Sequence, residues 1–196
     1  MALMRKTTNS GGRRALAAAG IALAALVAAA PSSAAGGDRG HGGSAETFQG
    51  TCEFSGTLWQ HPPLTNVPQP GRAWAAATGV CSGTLTGRKG RVRQLDRARA
   101  GYVAQAEGTT SCGGGTAEGD GFIRIAGERI QFRFTEARGP GAGVIQLEGA
   151  RGGFAHGAAR VSDDEDPVRI AQECSGSGLR RVGIQIDLAT TPTISG

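Results

Sequence analysis

From residue 47 onward, apolar and polar side chains alternate with a period of two, and that alternation confines the chain to strands. The clearest run is 128–136 (ERIQFRFTE): Ile130, Phe132 and Phe134 fall on one side, and Arg129, Gln131, Arg133 and Thr135 on the other. Successive side chains of a strand point to opposite faces, so such a run makes a ribbon with one apolar and one polar face. Residues 180–190 repeat the pattern, with Val182, Ile184, Ile186 and Leu188 against Arg181, Gln185 and Asp187. Further strands are expected at 48–59, 73–86, 101–110, 116–126, 142–149, 153–162 and 167–174. Turn-forming residues separate them, as at Gly127-Glu128, Arg138-Gly139-Pro140-Gly141 and Arg151-Gly152. Only 92–100 (VRQLDRARA) offers a short helix. The 34 glycines among 196 residues oppose long ones. The expected fold class is therefore all-β: an antiparallel up-and-down meander of about nine strands closed into a small barrel, which hides its edges. A β-sandwich is the alternative.

The first 35 residues read as a bacterial export signal. Arg5, Lys6, Arg13 and Arg14 form a basic start, residues 15–30 carry no charge, and Ser33-Ala34-Ala35 supplies the small residues of a cleavage site. Arg13-Arg14-Ala15-Leu16 also fits a twin-arginine signal, so both the general secretory and the twin-arginine routes stay open. The uncharged stretch is short and mostly alanine, so no membrane span is expected. Residues 36–46 (GGDRGHGGSAE), with His41, should form a flexible Gly-rich arm, leaving 47–196 as a single barrel domain. The leader holds four of the 21 basic residues and no acidic one, which leaves 17 against 16, or +1. The pI of 9.6 thus belongs largely to the leader. A basic excess over the folded part, which nucleic-acid binding requires, is missing.

Four cysteines in an exported chain imply two disulfides. Pairing 48–59 with 73–86 so that Cys52 faces Cys81 sets Phe54 against Gly79, Gly56 against Ala77, Leu58 against Ala75 and Trp59 against Trp74. Large residues then oppose small ones, and the two indoles meet. This favours Cys52–Cys81 and, by elimination, Cys112–Cys174; Cys81–Cys112 is the rival.

Parity places small residues on the inward side of several strands. They allow a ligand cavity lined by Phe54, Tyr102, Ala104, Ala106, Gly119, Gly121, Phe132, Phe134, Ala155 and Gly157, but close-packed interiors favour the other reading, in which sheets approach closely there or aromatics such as Phe54 and Phe132 fill the gap. Acids and bases take the outward parity at Glu53, Glu107, Glu118, Asp120, His156 and Glu173. General acid–base chemistry needs a titratable group within reach of substrate, and an apolar interior supplies none. No catalytic residue is assigned. If strand 116–124 is flipped, Glu118 and Asp120 become a carboxylate pair for a hydrolase or barrel cyclase. The segment 60–72, with Pro62, Pro63, Pro68 and Pro70, is a stiff candidate lid or partner-binding loop. Asp163, Asp164, Glu165 and Asp166 are a weak candidate for Ca²⁺, with a solvated turn as the plainer reading. Arg88, Lys89, Arg91, Arg93, Arg97 and Arg99 form a basic pole. His61 and His156 lack a third metal ligand, and no cofactor is expected. The sequence reading is thus a secreted non-catalytic module that binds a small apolar ligand or an extracellular or cell-surface partner. An extracellular enzyme, or an inhibitory or structural protein acting through 60–72, is the alternative.

Overall fold

Antiparallel pairing of neighbours in sequence accounts for the whole sheet in the computed structural model, which describes residues 45–196. The strands are β1 (Thr47–Leu64), β2 (Gln69–Thr86), β3 (Val92–Ser111), β4 (Gly114–Ile125), β5 (Glu128–Gly139), β6 (Ala142–Gly149), β7 (Gly153–Val161) and β8 (Leu179–Ser195). One helix, α1 (Pro167–Ser175), stands between β7 and β8. Each strand pairs with the next and β8 returns to β1, closing the barrel. The leader at 1–35 and the arm up to residue 44, with His41, lie outside the described residues. The last residue of the expected arm, Glu46, is buried and bonds Arg88, so the barrel already begins there.

Two expectations change. The ninth strand, at 167–174, is α1. Val168, Ile170, Gln172 and Cys174 alternate as a strand would, but Ile170 and Cys174 are also one helical turn apart. The local signals for a helix win. Asp166 Oδ1 accepts from Val168 N at 2.8 Å, Pro167 starts the first turn, and Arg169 pairs with Glu165 and Glu173. Conversely, 92–100 is no helix but the first half of β3, paired to the far half of β2. A bulge near Arg97 (φ 45°), whose N–H donates to Ser82 Oγ at 2.9 Å, lets the long strand bend there.

β1 and β2 pair so that Cys52 faces Cys81 and Trp59 faces Trp74. The disulfides are Cys52–Cys81 and Cys112–Cys174, with Cα separations of 4.1 and 6.1 Å. The first joins neighbouring strands. The second joins the β3–β4 turn to α1. In a closed eight-strand order the β3–β4 and β7–β8 connections sit at the same end but on opposite sides, so this bridge reaches across the barrel mouth. Ile170 and Cys174 turn inward from α1 onto the core.

The lumen is filled by side chains. Phe54, Tyr102, Phe132 and Phe134 form a continuous aromatic chain with ring centroids 5.6, 5.6 and 6.1 Å apart. Ile123, Ile130, Leu147, Ile184, Ile186 and Leu188 pack around it. The inward glycines mark where adjacent strands approach too closely for a side chain. A Cβ added at Gly79 would fall on the Glu53 carbonyl oxygen, at Gly119 on that of Gln105, and at Gly157 on that of Asp187. Tight closure of a small sheet is thus a sufficient reason for the small-residue stripe.

Candidate functional site

The alternation that fills the lumen also decides what the outer wall presents. All ten residues expected to line a cavity do face inward: Phe54, Tyr102, Ala104, Ala106, Phe132, Phe134 and Ala155 are buried, and Gly119, Gly121 and Gly157 sit at partly buried inward positions. Four of them, Tyr102, Ala104, Ala106 and Phe134, border a cavity of about 40 Å³. One water molecule needs roughly 10–15 Å³, so the space admits only a few.

Two charged residues border this small cavity. The side of β5 that carries Ile130, Phe132 and Phe134 continues to Glu136 and Arg138, whose side chains are 7% and 13% exposed and pair at 2.7 Å. Both line the small cavity with Tyr102. Burial raises the Tyr102 phenol above its usual range; the neighbouring Glu136 raises it further, and Arg138 partly opposes. Arg138 Nε and Gln60 Nε2 are buried without a hydrogen-bond partner among the described residues. The expectation of an interior almost free of acid or base missed this pair. The signal was present: extending the parity of 130–134 by four residues places Glu136 and Arg138 inside.

Outside, two rows of side chains cross the sheet. Register sets Trp74, Gln105, Asp120, Arg133, Glu148 and Phe154 opposite one another on successive strands β2 to β7. One step along lie Arg72, Glu107, Glu118, Thr135 and Gln146. They border an open trough of about 1200 Å³. Trp59 stacks on Trp74 at 5.4 Å with planes 9° apart. Trp59 covers one face of the Trp74 ring from the β1 side, and Trp74, 48% exposed, borders the trough. Gln105 Nε2 donates to Asp120 Oδ1 at 3.2 Å. Arg72 pairs with Glu107 at 2.8 Å, but Glu118, Asp120, Arg133 and Glu148 form no ion pair among the described residues. Below Trp74, Ala76, Val103 and Phe122 continue an apolar strip, with Arg129 3.9 Å over the Phe122 ring. A membrane barrel carries an apolar band where this wall carries carboxylates and guanidinium groups.

The remaining candidates scatter. Glu118 and Asp120 are exposed on the outer wall; β4 is not flipped. Glu173 lies on α1, not on a strand. The segment 60–72 is largely strand: Pro62 and Pro63 belong to β1 and Pro70 to β2, leaving only 65–68, with Pro68, between the strands. Thr65 accepts from Cys112 N, which fixes this tip to the disulfide-bearing turn. Of the acidic cluster, Asp166 caps α1, Glu165 holds Arg169 and the Gly183 N–H, and Asp163 and Asp164 are exposed. No group of three His, Cys, Asp or Glu side chains is placed to hold a metal among the described residues. In the basic pole, Arg88 pairs with Glu46, Arg93 with Glu128 and Arg97 with Glu53. His61 is at the trough edge on β1, and His156 is exposed on β7, with β8 between those strands.

Comparison with protein-family models, with curated proteins and with solved structures finds no match for this chain.

Proposed function

We propose that the chain is an exported, non-catalytic binding module that meets an extracellular partner on its outer wall over β2–β5. The observation that carries this is the contrast between the two faces. The lumen is filled by packed side chains, with a cavity of about 40 Å³ beside Tyr102 and Phe134, whereas the wall holds an exposed indole beside carboxylates and a guanidinium that have no ion-pair partners among the described residues. An apolar small molecule would have to displace the aromatic chain to enter the barrel. Two disulfides fit an oxidising compartment, and no helix among the described residues is long and apolar enough to cross a membrane.

A hydrolytic reading through Glu118 and Asp120 has one observation in its favour, since both border the same trough. They lack the burial by which carboxylate pairs are usually divided into acid and base.

The test is retention of the purified protein on envelope material from the producing cells. The triple variant Trp74→Ala, Asp120→Asn, Arg133→Ala is expected to fold, since exposed positions rarely change stability by more than about 0.5 kcal/mol and one lost aromatic pair adds about 0.5–1.5 kcal/mol. Its retention should fall at least about tenfold, the equivalent of ~1.4 kcal/mol. Equal retention of wild type and variant contradicts the reading.

A further inference from the structure

We infer that the outer-wall site is built for an uncharged linear polysaccharide lying across the strands, from Trp74 over Gln105 and Asp120 toward Arg133. This deepens the proposed function and rests on it. A pyranose has one face of C–H groups and a rim of hydroxyls. It therefore needs a flat apolar platform with donors and acceptors set beside it.

The wall supplies both in register. Trp74 is held upright by its stack on Trp59. Directly opposite on the next strand, Gln105 offers an amide, then Asp120 a carboxylate and Arg133 a guanidinium. The Gln105–Asp120 hydrogen bond fixes the two nearest polar groups relative to the ring. Strands lie about 4.8 Å apart, so the row from Trp74 to Arg133 covers roughly 14 Å. The strand spacing of about 4.8 Å is close to the length of one pyranose unit, so successive sugars meet successive strands. The second row, with Glu107 and Glu118, lies one side-chain step along the same strands, within reach of the hydroxyls along one edge of the chain.

Other partner chemistries fit less well. An extended peptide docks by adding to an open sheet edge, and the closed barrel has none. Among the ionised groups of the trough without ion-pair partners, Glu118, Asp120 and Glu148 outnumber Arg133. A polyanion is repelled by that balance. Hydroxyls, which both donate and accept, satisfy carboxylate, amide and guanidinium alike.

The experiment is native affinity electrophoresis of the purified full chain in gels containing hydroxyethylcellulose, β-1,3-glucan, xylan or galactomannan. Alginate and polylysine serve as charged controls, each gel being run at low and at about 0.5 M salt. At least one neutral polymer is expected to retard the protein, with no loss of retardation at high salt. Trp74→Ala should weaken that binding about tenfold. Gln105→Ala should weaken it several-fold, while Thr84→Ala, on the wall of β2 away from the trough, should not. Absence of retardation by all four neutral polymers overturns the inference. So does retardation indifferent to Trp74→Ala, or salt-sensitive binding to a charged control alone. The two readings fail separately. Envelope retention that needs the Trp74 site without polysaccharide binding leaves the wall reading standing and removes the saccharide. Retention independent of the site removes both.

Discussion

Replacing Glu136 by alanine is expected to destabilise the barrel by about 3–5 kcal/mol, the usual cost of removing one partner from a buried ion pair. The side chains of Glu136 and Arg138 are 7% and 13% exposed and pair at 2.7 Å beside the buried Tyr102, Phe134 and Ile145. Without Glu136 the guanidinium stays there with Nε already lacking a partner among the described residues. In urea, with m of roughly 2 kcal/mol per molar, the midpoint should drop by about 2 M. The double variant Glu136→Met, Arg138→Met discriminates the cause. Replacing both charges by apolar groups of similar size is often neutral or stabilising, so it should recover most of the loss. A Glu136→Ala midpoint equal to wild type would show the pair to be solvated.

Removing the bridge across the mouth should have the next largest effect. Cys112 and Cys174 are separated by 62 positions, and the chain-entropy model gives about 4 kcal/mol for a loop of that length. The double variant Cys112→Ser, Cys174→Ser should therefore melt well below wild type. A local effect accompanies the global one. Helix α1 has nine residues, and isolated helices shorter than about 12–15 residues are marginal in water. Hydrogen exchange in α1 should rise toward that of an open chain, while the β4–β5 ladder keeps its protection at low temperature. Unchanged protection in α1 would mean that the Asp166 cap and the Arg169 pairs hold the helix unaided.

What the sequence made legible follows from periodicity. The alternation at 128–136 and 180–190 and the opposition of Trp59 to Trp74 depend on neighbours in chain order, and they survive folding unchanged. α1 was obscured because Val168, Ile170 and Cys174 all fall on even positions, as on one face of a strand, although polar Gln172 interrupts them; its cap and its i,i+4 pairs decide the matter. The inward stripe of glycine and alanine has two readings in sequence, empty space or close backbones. The approach of neighbouring carbonyls to Gly79, Gly119 and Gly157 separates them. The outer row escaped for another reason. Trp74, Gln105, Asp120 and Arg133 come from four strands, and their alignment exists only once all three registers are known.

The lumen is a packed core with room beside Tyr102 for only a few water molecules, so the proposed recognition is assigned to the wall. Tyr102 reports on that packing directly, being the only tyrosine in the chain and 2% exposed. Burial raises its phenol above the ordinary value, Glu136 adds to the rise, and Arg138 partly opposes it. The unfolded chain therefore loses this proton first as pH climbs past about 10, and the stability Tyr102 contributes is complete below that pH and declines above it. The decisive measurement is phenolate absorbance followed together with circular dichroism during alkaline titration. The account predicts no phenolate signal through about pH 11, then ionisation in one step with loss of the barrel signal. Reversible ionisation near the ordinary tyrosine value, with the barrel intact, would show an open, wet lumen and contradict it.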